Sequence, residues 1–222
     1  MVAAGAVAKR ILRDYNIKII GYTKAVGEIE AENIDFDEIE KNPVRCPDKE
    51  KAIVMYNKIL EVKSEGDSIG GLVEVIAKDV PADLGGPRFE NLRGELSKAF
   101  HSMGAITAIE YGIGAKTRYM KGSEFNDQMY SEAGTIKFYS NNSGVIQGGI
   151  TNGQDIKAEL TIRPTPSILK EQKTVDIHGN NTTIKVEGRH DPCLCPRAVP
   201  VAEALMAIIL VDQLKQNNYL KK

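Results

Sequence analysis

Ten consecutive residues hold the densest set of reactive side chains in this sequence: Gly188-Arg189-His190-Asp191-Pro192-Cys193-Leu194-Cys195-Pro196-Arg197. Arginine presents a planar fork of donors that matches a phosphate or a carboxylate. An aspartate acts as a base when its environment tunes it. Arg189, His190 and Asp191 are therefore candidate catalytic residues beside a bound anion. The string reads equally as a solvated polar turn ahead of a helix. Cys193 and Cys195 next to a histidine raise a metal site, but structural zinc sites place two or more residues between paired cysteines and need a second ligand pair. No metal is expected here, and both cysteines are read as small buried residues.

Two further stretches carry binding groups. Arg163-Pro164-Thr165-Pro166-Ser167 places a cation and two hydroxyls where the chain leaves a strand, on a backbone stiffened by two prolines. It would suit fixed polar contacts to a ligand, or simply a rigid strand exit. Asn141 to Gln154 mixes Gly144, Gly148, Gly149 and Gly153 with Asn, Ser, Thr and Gln. Glycines let a backbone approach a flat or anionic ligand closely; a turn-rich hairpin loop has the same composition.

The elements that must position these groups follow from periodicity and punctuation. Val2 to Leu12 reads as a helix of small residues suited to close packing, with only Met1 before it and no capping side chain. The expectation is either a weakly capped terminal helix or one whose first part is missing. Strands are expected at Ile17–Tyr22, Val26–Ala31, Leu72–Lys78, Ile106–Ile113 and Ala158–Arg163. Asp48 caps a helix to about Lys63, with Ile53, Tyr56, Ile59/Leu60 and Lys63 on one face. A second helical face carries Phe89, Leu92, Leu96, Ala99/Phe100 and Met103. Residues Gly114 to Gly153 lack periodicity, which in so long a stretch marks a functional or disordered segment. Thr174–Ile177 and Thr183–Val186 pair across Gly179-Asn180-Asn181, and Ala198 to about Leu214 is an apolar helix followed by a lysine-rich tail. The order of strands and helices lacks a βαβ period, so the fold class is α+β with mainly antiparallel sheet.

The whole chain sets outer limits. Its 222 residues, 42% hydrophobic and 27% charged, suffice for a buried core. A net charge of −1 leaves no sequence-wide basic field for nucleic acid. Three cysteines suit a reducing compartment, and no apolar run approaches the ~20 residues of a membrane span, so the expected location is cytoplasmic.

Together these segments resemble the chorismate synthase family, nearly from end to end. The resemblance rests on four ordered motifs: Gly66-Asp67-Ser68-Ile69-Gly70-Gly71; Ser102-Met103-Gly104-Ala105; Asn141-Asn142-Ser143-Gly144 with Gln147-Gly148-Gly149-Ile150; and Gly188 to Cys193 followed by Arg197-Ala198-Val199-Pro200-Val201-Ala202-Glu203-Ala204. It implies a β-α-β sandwich, a homotetramer, and the anti 1,4-elimination of phosphate from 5-enolpyruvylshikimate 3-phosphate to give chorismate, with reduced FMN and, in some members, NADPH as the reductant. It implies that Gly104 and Ala105 line the flavin site, that Gly148 lets the backbone approach FMN, and that Arg163, Pro164, Thr165, Pro166 and Ser167 contact it. Arg163 stands where the family often has lysine. Arg189 would lie where flavin and substrate phosphate meet, Asp191 would accept or relay the proton at flavin N5, and His190 would orient. The family's Gly-Glu-Ser-His-Gly, Arg-Pro-Gly-His and Arg-Ser-Ser segments, which supply two acid/base histidines, do not occur here. The expectation is a single domain over residues 1–222 that forms the C-terminal portion of such an enzyme and is inactive alone. A non-catalytic flavin- or phosphate-binding module, or an assembly fragment, is the alternative.

Overall fold

Val2–Arg13 forms α1 without a side-chain cap; the carbonyl of Met1 receives the Gly5 amide. Gly5, Ala8 and Leu12 are its buried residues. A computed structural model describes residues 1–220, so Lys221 and Lys222 of the expected lysine-rich tail lie outside the described residues. The first strand, β1, runs Lys18–Val26 and turns at Gly27 into the two-residue β2, Ile29–Glu30, which pairs with it antiparallel. Sequence periodicity splits this stretch into two strands of equal length, Ile17–Tyr22 and Val26–Ala31; the structure instead continues β1 through Val26 and leaves little for its partner.

Asp48 starts α2, Lys49–Ser64, because its carboxylate accepts from the amides of Glu50 and Lys51 in the uncapped first turn. The same carboxylate accepts from Glu32 and Asn33, which anchors the preceding irregular segment. At the other end the Gly66 amide reaches Lys63 O and the Asp67 amide reaches Val62 O. This is the paired helix stop that a left-handed glycine makes possible, and Gly66 has φ +73°. The expected face of α2 is not the buried one. Ala52, Met55 and Val62 are buried, whereas Ile53, Tyr56 and Leu60 are exposed. Apolar residues occupy two adjacent stripes of this helix, and a 3.6-residue period fits both, so packing makes the choice.

β3 follows at Gly71–Lys78, then α3 at Leu92–His101 and β4 at Ile106–Tyr111. Leu92, Leu96 and Phe100 are buried as expected, but Phe89 lies before the helix and is 92% exposed. The long polar stretch is ordered: a short α4 (Gly122–Phe125), a hairpin of β5 (Met129–Glu132) with β6 (Thr135–Phe138), and a second of β7 (Ile146–Gln147) with β8 (Ile150–Thr151). β9 is Ile156–Ile162, with every second residue buried. β10 (Gln172–Val175) pairs with β11 (Asn181–Ile184), two residues earlier than the alternation suggests, because Asp176 accepts from His178 and Asn180 and closes the turn there. The last helix, α5, spans Cys195–Gln216 and contains Pro200.

The largest sheet has the order β2-β1-β3-β9-β4. Every strand pair with an assigned register is antiparallel, and the fold is α+β. Contacts group the chain into two compact units, whose boundaries fall within β1, β3, β9 and α5. One comprises residues 1–21, 74–160 and 199–222; within it Gly5 lies so close to Ala204 that a Cβ on it would stand 2.2 Å from the alanine Cβ. The other comprises residues 22–73 and 161–198.

Candidate active site

In the unit of residues 22–73 and 161–198, three loops are bonded into one cluster. Thr165 Oγ1 donates to Asp191 O at 2.9 Å, and Ser68 Oγ donates to Thr165 O at 2.7 Å. The Ile69 amide donates to Pro192 O, and that of Leu169 to Gly66 O. These loops, with Lys63, enclose a cleft of about 210 Å³ lined by Asp67, Ser68, Ser167, Arg189, His190 and Asp191 among others. Gly188 has φ +143°, a conformation that L side chains rarely adopt. It brings His190 back over its own Cα: a Cβ there would be 3.2 Å from the imidazole Nε2.

Asp191 is the electrostatic centre of the cluster. Its carboxylate meets Arg197 at 2.7 Å and Arg189 at 3.3 Å, with 20% of the aspartate side chain exposed. Arg189 is 75% exposed, so its pair with Asp191 is worth no more than about 1 kcal/mol. An anion in the cleft can therefore draw Arg189 away, while Arg197, itself 62% exposed, makes the shorter contact with the carboxylate. His190 Nε2 is enclosed and has no hydrogen-bond partner among the described residues. Leaving it so costs about 1–3 kcal/mol, which a ligand hydroxyl or oxyanion would offset. On the rim, Lys170 bonds Asp67 at 2.7 Å and pairs with Glu65 at 3.5 Å. The lysine and the Ser68 amide hold the Asp67 carboxyl below its usual range.

The cleft is smaller than the roughly 300–1,000 Å³ of pockets that take drug-sized ligands. Its donors, Lys63, Ser68, Ser167 and Arg189, fit a phosphoryl-sized anion; a flat ring system would extend beyond it.

The glycine-rich loop lies in the other unit and owes its shape to Asp127. That carboxylate accepts from Ser140 Oγ, from the Asn142 amide, and from both the amide and the hydroxyl of Ser143. Partial burial pulls its pKa up, but these bonds outweigh burial and hold it below the usual value. Arg93 donates to Ser143 O and Ile146 O, on either side of Gly144-Val145. Val145, buried and β-branched, has φ +79°, so this clamp holds a strained backbone. Gly148 and Gly149, both at positive φ, make the two-residue turn between β7 and β8.

The profile of the family described as Chorismate synthase matches residues 1–214. The chain belongs to the chorismate synthase family. It is 47% identical over 215 residues to a chorismate synthase of Bacteroides fragilis (strain YCH46), covering 95% of this chain and 60% of that protein. It is 46% identical over 224 aligned positions to one of Methanosarcina acetivorans, covering 99% and 61%. A solved structure titled "Crystal Structure of Chorismate Synthase" superposes with a TM-score of 0.81 at 29% identity, covering 97% of this chain and 62% of that one. The chain thus spans about 60% of the length of these chorismate synthases.

Of the residues that resemblance to chorismate synthase singles out, the structure brings Arg189, His190, Asp191 and Ser167 to one cleft. Thr165 supports it through Asp191 O, while Arg163, Pro164 and Pro166 are exposed and do not line it. Gly104, Ala105 and Gly148 belong to the other unit. Gly104 is exposed, and a Cβ there would meet nothing within 4 Å. Cys193 and Cys195 are buried. Reading by residue type overlooks Lys63, Lys170 and the grip of Arg197 on Asp191. The last had a signal, an arginine in the first turn of the helix that follows Asp191. Lys63 and Lys170 had none, since a lysine at a helix end or in a polar loop is ordinarily solvated.

Proposed function

We propose that this chain carries the phosphate- and flavin-facing part of a chorismate synthase, the lyase that eliminates phosphate from 5-enolpyruvylshikimate 3-phosphate to form chorismate. The observation that carries the reading is the pairing of Asp191 with Arg189 and Arg197 in a phosphoryl-sized cleft, in a chain matched to the family over residues 1–214. Arg189 exchanges its loose contact with Asp191 for a phosphate oxygen. Ser167 and Lys63 add donors, and His190 Nε2 gains its missing partner. Asp191, held by Arg197, accepts or relays the proton at the flavin N5. Reduced FMN would supply transient electron density to the elimination when bound; NADPH is its reductant in some members of the family. Arg163, Pro164, Thr165 and Pro166 would contact the flavin outside the cleft, and Gly104, Ala105 and Gly148 would leave room for its ring. The same reading assigns the chain to one catalytic domain of a cytoplasmic homotetramer.

Among the described residues His190 is the only histidine that lines the cleft; His101 ends α3 and His178 sits in the β10–β11 turn. The acid/base histidines of the elimination are therefore assigned to segments of the family that this sequence does not contain. The cleft without those histidines also supports a second reading, a binding module without catalysis. Both are tested by titrating FMN and inorganic phosphate separately against the chain and its Arg189→Ala variant, followed by calorimetry, with chorismate formation assayed in parallel. Binding of both, weakened about tenfold or more by loss of a charge-assisted contact, with no chorismate formed, is the expected result. Undetectable binding at millimolar ligand would sink both readings. Chorismate formation by the chain alone would overturn the assignment of the histidines.

A further inference from the structure

Asn152 is the one asparagine of this sequence that glycine follows. An asparagine carboxamide can be attacked by the nitrogen of the next peptide, which is one reason the residue is thermally labile. The attack needs that nitrogen to be unhindered and not engaged elsewhere. Glycine has no Cβ to obstruct it. Gly153 is exposed at φ +91°, and its amide donates no hydrogen bond among the described residues. The Gln154 amide donates to Asn152 Oδ1 at 3.1 Å, closing an Asx turn. That bond folds the carboxamide over the Gly153 peptide and draws electron density from Cγ, the atom under attack. Asn152 and Gly153 also line an open cleft of about 790 Å³ with Ala82, Tyr130 and Ile136. It is polar enough on this side, and roomy enough, to hold water. We propose that Asn152 is a self-modification site, where the chain converts its own carboxamide to a carboxylate through a succinimide formed with Gly153.

The Gly153 nitrogen bonds to Asn152 Cγ, its proton passes to the departing amide nitrogen, and ammonia leaves. Water then opens the ring at either carbonyl. One opening restores the ordinary backbone with an aspartate. The other leads the backbone through the side chain as isoaspartate, one methylene longer. The net change is a hydrolysis, one water in and one ammonia out, with no oxidant or reductant.

Asn142 supplies the contrast. A small residue follows it too, but the Ser143 amide donates to Asp127, and the Asn142 carboxamide donates to the carbonyls of Glu124 and Phe125. Attack there must first break this network. The new carboxylate at 152 faces Gln154 Oε1, which in the unmodified chain accepts from Asn152 Nδ2 at 3.3 Å. Gln154 Nε2 in turn donates to Ser140 O, and Asn141 Nδ2 donates to Asp155 O. The modification therefore bears on the bonds that fasten the start of the glycine-rich loop.

The test ages the folded chain at body temperature in mildly alkaline buffer, with the urea-unfolded chain in parallel and an unaged sample digested alike. The tryptic peptide Phe138–Lys157 holds Asn141, Asn142 and Asn152, and its fragmentation assigns the site. In the folded chain it should become one mass unit heavier at Asn152, separate into aspartyl and isoaspartyl forms, and stay unchanged at Asn142. In the unfolded chain Asn142 should convert as well. Asn152→Gln should abolish the shift in the folded chain, because glutamine has to close a larger ring. An Asn152 that stays intact in the folded chain while the unfolded chain converts would overturn the proposal, as would conversion of Asn142 in the folded chain as fast as Asn152.

Discussion

At the scale of single residues, Gly71 and Gly104 separate what a glycine does for packing from what it does for a ligand. A Cβ on Gly71 would stand 2.1 Å from Ala25 O and 2.9 Å from Cys195 Sγ, and neither the strand backbone nor the buried sulfur has room to give. Gly71→Ala should lower unfolding free energy by about 3 kcal/mol or abolish folding, because overpacking of this kind is not relieved by rotamer changes. Gly104→Ala meets nothing and should stay within about 0.5 kcal/mol of wild type in urea unfolding. If Gly104 faces the flavin as proposed, the same variant should bind FMN several-fold more weakly; unchanged affinity would remove it from the site. The two glycines are indistinguishable by type. Arg189 and Asp191 were legible because their types, crowded together before a proline, have few structural uses. Asp127 was not legible: a lone aspartate in a polar stretch gives no sign that it will gather the donors of Ser140, Asn142 and Ser143.

At the scale of elements, ends were easier to read than faces. Asp48 and Gly66 delimit α2 through hydrogen bonds that any sequence with these residues can form locally, so the helix was visible as a span. Its buried side depends on what packs against it. The contrast gives a direct comparison of Met55 with Ile53, exposed to 0% and 60% respectively. Met55→Ala should cost about 2–4 kcal/mol through lost burial and a residual cavity. Ile53→Ala should change stability by no more than about 0.5 kcal/mol in this chain. Equal losses at the two positions, read from urea midpoints at constant slope, would mean that the stripe expected from periodicity is the packed one after all. The β10–β11 hairpin makes the same point on a smaller scale. Alternation located both strands, and the Asp176 side chain, not the glycine alone, set where they turn.

For the whole molecule, the dependence of stability on pH follows from a few carboxylates, a thiol and one phenol. Burial pulls the Asp48 carboxyl up, but amides of Asn33, Lys51, Glu32 and Glu50 outweigh it and leave it below its ordinary value. Asp127 is lowered in the same way. Between the lowered folded values and the ordinary unfolded one, the unfolded chain binds more protons, so unfolding free energy rises with pH there. The stabilisation is complete above the ordinary carboxyl range and is lost as pH falls through the folded values. At the alkaline end, burial pushes the Tyr111 phenol up to about 12, against its bond to Ser97 and the nearby Arg93. The unfolded chain then ionises first, and stability declines above pH ~10. Between about pH 5 and 8 the profile should be flat; above that the Cys46 thiol, pushed up by burial, already favours the unfolded chain. Asp48→Asn replaces the oxygen that accepts from Glu32 and Asn33 with an NH₂ group, setting donors against donors. It should cost about 2 kcal/mol at neutral pH, flatten the acid limb, and converge on wild type near the acid end, where the wild-type carboxyl is itself protonated. Urea unfolding across a pH series measures both limbs. Parallel wild-type and Asp48→Asn curves would show that the carboxylate's charge contributes nothing and that only its shape caps the helix.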